Sequence, residues 1–294
     1  MSKKIFHRRK NLAETLIFVA IYAAAVISVL LFLGIAGYVF YRGFGQLNKD
    51  FFTTVTSELK GTEGIAGNIV NTLYIVIITL LIATPAGVGA AIYLNEYARP
   101  GRLVNAIVFA METLSGIPSV IFGLFGYVFF GGVLGLGYSL LSGALTLSLM
   151  VLPLIAANTR EALRTVPDSY RSGSLGMGAG KWYMIRTVVL PAAAPGILTG
   201  VILAVGRVVG ESAALLFTAG SARALPKLGR HFSENVEKLF DKVFQSGGTL
   251  TVELYLQMQE GRYGLAFGIG CVLIVIALVI NGVLKIAAGR LHRK

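Results

Sequence analysis

The chain has 294 residues, of which 55% are hydrophobic and only 14% charged. A soluble domain carries about 25% charged residues, so a soluble globular protein is excluded. The single cysteine, Cys271, allows no internal disulfide and no cysteine metal cluster, and His7, His231 and His292 are scattered outside the apolar runs.

Several apolar runs exceed 20 residues, which marks a polytopic all-α membrane protein. The ten-residue alternation of a membrane barrel is missing. Six spans are expected, at about residues 16–41, 69–94, 103–130, 134–157, 195–219 and 265–288. The first follows a basic start, KKIFHRRK, and its apolar core is too long for a cleaved signal peptide, so it reads as a retained helix. The third and fourth are separated only by a Gly-rich turn from Gly131 to Gly137. Pro85, Pro118 and Pro153 interrupt spans; each is a simple kink or a sign of a packed, path-lining helix. Residues 1–65 then form an N-terminal segment with the first span and an external loop, and 66–290 the main transmembrane domain.

The connecting stretches set the orientation. The N-terminus, 95–102, 158–194 and the C-terminal tail, counted with Lys285 near the end of the last span, carry 16 Lys/Arg against Glu14, Glu96, Glu161 and Asp168. The opposite side, 42–68 and 220–264, carries nine Lys/Arg against eight acids. The positive-inside rule puts both termini in the cytoplasm. The net charge of +12 is therefore a topology signal, and no nucleic acid is needed to explain it. In the external loop, His231 to Phe244 has apolar residues at helical spacing and is expected to form a short amphipathic surface helix.

The 158–194 stretch reads as a helix to Thr165, a break at Val166-Pro167-Asp168, and a short helix over Tyr170 to Leu175. Asp168 or Ser169 is placed to cap that helix. A glycine turn over Gly176 to Gly180 follows, then a second helix from Lys181 to Leu190, with Pro191 and Pro195 marking re-entry. A compact cytoplasmic projection of this kind suits docking onto a partner.

Within the fifth span, Arg207 lies about halfway along the apolar run from Gly196 to Phe217, with Glu211 at i+4. An arginine at mid-depth is expensive unless it faces protein or water, and such charges are commonly functional. Its planar fork suits an oxyanion. Glu211 either pairs with Arg207 or accepts a hydrogen bond from a protonated anion; pairing is the simpler role. Gly206 and Gly210 form a small-xxx-small pair beside these charges, as do Gly196 and Gly200, and would let a helix approach closely. Pro118 is grouped with them as a packing residue. Glu112, a second acid inside an apolar run, reads as structural or interfacial.

The spacing Ser172-Gly173-Ser174, Gly178, Val188 and Leu190-Pro191 resembles the cytoplasmic EAA loop of ABC importer permeases, although the Glu-Ala-Ala triplet is replaced. GIPSVIFGLFG (Gly116 to Gly126), RVVGESAALLFTAG (Arg207 to Gly220) and AAIYLNEYA (Ala90 to Ala98) are similar to stretches of phosphate-importer permeases, the PstA-type subunit above all. The resemblance implies a type I, MetI-like importer fold with Arg207 and Glu211 on the substrate path. It also implies an ATPase coupling loop containing Tyr170, Ser172, Gly173, Ser174, Gly178, Lys181, Trp182, Leu190 and Pro191. The partners it implies are a PstC-type permease, a dimer of ATPase subunits and an extracytoplasmic phosphate-binding protein, all in a bacterial or archaeal cell membrane. No G-x-x-x-x-G-K-[ST] P-loop occurs, so ATP is expected on the separate ATPase and no cofactor on this chain. A permease for sulfate or molybdate, a membrane sensor, a purely structural subunit and a membrane-embedded enzyme are the competing readings.

Overall fold

The computed structural model describes residues 12–57, 61–225 and 232–291. The basic stretch before residue 12, with His7, and also His231 and His292 lie outside the described residues. In chain order the elements are α1 (Leu12–Gly43), α2 (Lys49–Thr53), a ribbon of β1 (Val55–Ser57) and β2 (Thr62–Ile65), and α3 (Ala66–Ile92), which runs on through a π-helical turn at Tyr93–Tyr97. Next come α4 (Arg102–Gly116), α5 (Ser119–Gly126) with a π-helical extension to Val133, α6 (Leu140–Thr165), α7 (Asp168–Gly176) and α8 (Lys181–Met184). A third π segment, Ile185–Val189, leads into α9 (Leu190–Gly210), followed by α10 (Ala213–Thr218), α11 (Phe232–Val243), α12 (Leu250–Gln259) and α13 (Tyr263–Leu291).

Among the described residues five helices are long and apolar enough to cross a membrane, and a bent pair makes up a sixth crossing. Three expected boundaries are corrected. The third span is not one helix: α4 and the Ser119–Val133 segment meet at 101°, because Ile117 before Pro118 is extended. Pro118 thus stands at the bend and starts α5, and it is exposed and is not a helix-packing residue. Pro85 and Pro153 instead lie inside continuous helices. The fourth span starts at Leu140 and runs to Thr165. The fifth ends at Gly210 and not at residue 219. The antiparallel ribbon β1–β2 has no counterpart in the sequence reading, which followed the apolar spans.

The core is built on α6. It runs parallel to α3: the Thr79 hydroxyl donates to Ala144 O at 3.3 Å, and the Ser148 hydroxyl donates to Thr79 O at 3.3 Å. Against α9 it runs antiparallel, with Gly196 facing Ala162 and Gly200 facing Asn158. Ile75, Leu147, Val151, Ile155, Ala204, Val208 and Leu215 fill the space between these helices. Close approach through small residues is what drives helix association where lipid and side chains are equally apolar. A second cluster, including Leu163, Val166, Met184 and Ile185, closes the end that carries α7 and α8, named the inner end for the orientation that the loop charges lead one to expect.

The other, outer end carries the ribbon, α11 and α12. Arg223 Nε meets Glu253 Oε2 at 2.8 Å, Gln257 donates to Glu253 Oε1 at 2.6 Å, and Asn68 of α3 donates to Gly248 O at 3.0 Å. This polar knot fixes α12 to the start of α3. The amphipathic α11 forms as expected and lies against α3, where Tyr74 donates to Leu239 O at 3.2 Å.

Candidate functional site

Arg207 sits in the last turn of α9, where its charge complements the negative end of the helix dipole. The α6–α9 register, carried forward from Gly196–Ala162 and Gly200–Asn158, brings it level with Val151, near the middle of the 26-residue α6. Arg207 is half-buried and, among the described residues, has neither a hydrogen bond nor an ion pair. A charge in that position costs about 3 kcal/mol on insertion scales.

The expected Arg207–Glu211 pair does not form. The i+4 argument requires an unbroken helix, and α9 stops at Gly210. Glu211 is extended (φ −81°, ψ 127°), and its Oε1 accepts the Ala214 amide at 3.0 Å, giving α10 its N-terminal cap. Thr251 of α12 donates to Glu211 O at 2.7 Å and pins the elbow from outside. The two charges are therefore spent on two different helix ends.

Gly206 and Gly210 face open space, so no helix among the described residues packs on them; Gly196 and Gly200 carry the close contact to α6. Thr199, Leu203, Gly206 and Gly210 form an exposed strip on α9 beside Arg207. Ala157, Glu161 and Arg164 form the matching strip on α6. At about 100° per residue in an antiparallel pair, both strips fall on the same side. That side continues into a cavity of about 210 Å³ between α4 and α6, lined by Glu112, Ser115, Arg160, Glu161 and Arg164 among others. Arg160 Nε is buried there without a hydrogen-bond partner. Sequence reasoning placed Glu112 at an interface and Glu161 in a loop, and passed over Arg160 and Arg164. The i, i+4 spacing of those two arginines on the extension of the fourth span was the available signal.

The inner loop has the expected order of helix, break, short helix, glycine turn and helix. Gly178 adopts φ +86°, the left-handed conformation that ends α7, with its amide donating to Leu175 O at 2.9 Å. Neither Asp168 nor Ser169 caps α7 with its side chain; the Asp168 carboxylate turns to Arg171 at 3.1 Å. Ser172 and Gly173 are exposed and Ser174 is buried, and the Ser172 hydroxyl donates to Asp168 O at 3.0 Å. Tyr170, Leu175, Met177, Trp182 and Tyr183 are all exposed on this loop, an apolar surface at the inner end. Leu190 is half-buried and Pro191 exposed, both within the first turn of α9.

Residues 83–293 match the family described as binding-protein-dependent transport system inner membrane component. The chain is 37% identical over 266 residues, 88% of each chain, to the "Probable ABC transporter permease protein YqgI" of Bacillus subtilis. It is 33% identical over 224 residues, 74% of this chain and 72% of the relative, to the "Phosphate transport system permease protein PstA" of Mycobacterium leprae. In fold it is similar to a chain of a bacterial ABC transporter that imports the acidic polysaccharide alginate, with a TM-score of 0.65 and 18% identity over 96% of this chain and 98% of that one. An open side at mid-depth and a folded inner loop are what a transport subunit requires, and the chain belongs to the binding-protein-dependent inner membrane component family as an ABC importer permease subunit of type I architecture.

Proposed function

We propose that the chain is the PstA-type permease of an ATP-driven importer for inorganic phosphate. The observation that carries this reading is Arg207: a guanidinium at mid-depth, without a partner among the described residues, on the margin of an open strip. A fixed cation there lowers the barrier for an anion, and its fork fits two phosphate oxygens. One such charge suffices, since a denser cluster would trap the ion. The RVVGE stretch and the PstA relatives support phosphate over other oxyanions.

In this reading a PstC-type permease closes the open strip, with Gly206 and Gly210 admitting its helix. Glu211 shapes the path as the cap of α10. The exposed residues of α7 and α8 dock one of two ATPase subunits, which hold the ATP. The outer end receives a phosphate-binding protein, and the charge bias of the loops puts both termini in the cytoplasm. ATP-driven closure of the ATPases shifts the bundle between two packings, exposing Arg207 to each side in turn.

The test is phosphate uptake by the assembled complex in lipid vesicles. Arg207→Gln is expected to abolish uptake while the complex still assembles; normal uptake would remove Arg207 from the path. Competition by sulfate and molybdate decides the cargo: equal inhibition by either oxyanion would overturn phosphate and leave the permease assignment intact.

A further inference from the structure

Arg171 makes more side-chain hydrogen bonds than any other described residue of the inner loop. Its Nε and Nη2 donate to Glu96 Oε1 at 3.3 and 2.9 Å, and Nε also reaches Glu96 Oε2 at 3.4 Å. Nη1 donates to Val166 O at 2.7 Å and Asp168 Oδ1 at 3.1 Å, and Nη2 donates to Leu163 O at 2.8 Å. Leu163 lies in the last turn of α6 and Val166 just beyond it, where helix carbonyls have no partner of their own. One guanidinium therefore ties together α7, the end of α6 and the end of α3.

The tie is dry enough to be stiff. The Glu96 side chain is 5% exposed and that of Arg171 17%. Asn95 also donates to Glu96 Oε1, at 2.8 Å, and holds the carboxylate in place. The other arm of the loop reaches the next residue: Lys181, at the start of α8, sets its ammonium 4.8 Å over the ring of Tyr97. Glu96 and Tyr97 both belong to the π-helical turn that ends α3. Both arms of the loop thus converge on one turn of a helix more than 70 residues earlier in the chain.

We propose that Arg171 and Glu96 are positioning residues that lock the docking loop to α3, so that α7 and the inner end of α3 move as one piece. The proposal rests on the reading that this loop receives the ATPase. A force on α7 reaches α6 and α9 through the chain itself. It reaches the inner end of α3 most directly across this contact, and α3 carries it along α6 to the outer knot at Asn68 and Glu253. Ser172, the neighbour of Arg171, is exposed and leaves the docking face uncommitted.

The complete complex in lipid vesicles, with phosphate uptake and ATP hydrolysis measured together, tests this. Glu96→Gln and Arg171→Gln are expected to lower phosphate transported per ATP by about fivefold or more, with the ATPase still co-purifying. Arg171→Lys, which keeps the charge but loses the fork, falls between these variants and the wild type. The double variant, Glu96→Gln with Arg171→Gln, loses no more than the worse single variant, as two halves of one contact do and two separate folding defects would not. Transport per ATP within about twofold of wild type in both single variants would overturn the proposal. If the single variants shed the ATPase, a double variant that sheds no more than the worse single variant supports the clamp, and additive losses overturn it. A wild-type chain that retains no ATPase removes the docking reading and the clamp together, and is recognised without any variant.

Discussion

At the inner end of the bundle Arg171 commits each guanidinium nitrogen to oxygens of its own chain; at mid-depth Arg207 commits none among the described residues. The two side chains are alike in chemistry and in partial burial. They differ in how their donors are satisfied, and that difference separates two kinds of work. A saturated guanidinium fixes geometry, because each lost bond leaves a desolvated group behind. An unsaturated one in a low-dielectric setting is a site whose missing partner arrives from elsewhere. The contrast extends to the acids: Glu96 is consumed by Arg171, and Glu211 by a helix end.

The contrast breaks most visibly at Arg207. Arg207→Gln is expected to reduce phosphate uptake by about a hundredfold or more, as for the loss of a desolvated charge-assisted contact. It is also expected to leave the melting temperature of the isolated chain unchanged, since no bond within the chain is lost. Arg171→Gln is expected to do the reverse to stability, lowering it by about 2–3 kcal/mol, a reduced value for a pair that is not wholly buried. Thermal melts of the two variants in detergent, side by side, would erase the distinction if they moved together. Next in size is Gly178→Val. A β-branched residue at φ +86° costs about 1–3 kcal/mol and is relieved by displacing α7. About tenfold weaker retention of the ATPase, measured by co-elution, is the expected outcome.

Glu211 sharpens the comparison with a smaller effect. Glu211→Ala removes the cap of α10 and costs about 1 kcal/mol, with a few-fold loss of uptake. Glu211→Gln keeps a capping oxygen and is expected to transport almost normally. Collapse of uptake in the Gln variant with an unchanged melt would mean that the charge of Glu211, and not its cap, serves the cargo. The smallest effect belongs to Lys242, in α11 at the outer end. It is 1% exposed and reaches only Ser246 O at 3.5 Å. Burial lowers its pKa from the ordinary 10.5, so the folded chain binds this proton more weakly than the unfolded chain. Stability therefore falls as the pH drops through the lowered value and recovers as it rises towards 10.5. Lys242→Met is expected to raise the melting temperature by a few degrees at neutral pH, about 1 kcal/mol, and to flatten the alkaline rise. An unchanged pH profile would mean that the buried amine is not the source of that rise.

Features decided by local chemistry were legible in the sequence. Val166-Pro167, the glycine turn at Gly178 and the periodicity of α11 each act within a few residues, and each appears where the pattern put it. Features decided by what a segment packs against were not. Pro85, Pro118 and Pro153 look alike in sequence, yet only Pro118, preceded by Gly116 and Ile117, breaks its span among the described residues. Arg207 and Glu211 were picked out as residue types, but their relation was misread, because Gly210 and the free amide of Ala214 pull the chain out of the helix. Arg171 and Glu96 stand 75 residues apart, and no spacing rule links them.

The elbow at Glu211 also sets an order of events in time. Its carbonyl is held by Thr251, made 40 residues later in the chain. Until α12 has been synthesised and has settled on the start of α3, nothing holds that carbonyl, and the stretch from Leu190 to Thr218 is free to enter the lipid as a single continuous apolar segment. The pinned form of the elbow that follows Arg207 is thus a late product of biogenesis. A ribosome that stalls before residue 251 would leave a chain that lacks α13 and whose elbow at Glu211 is not yet pinned.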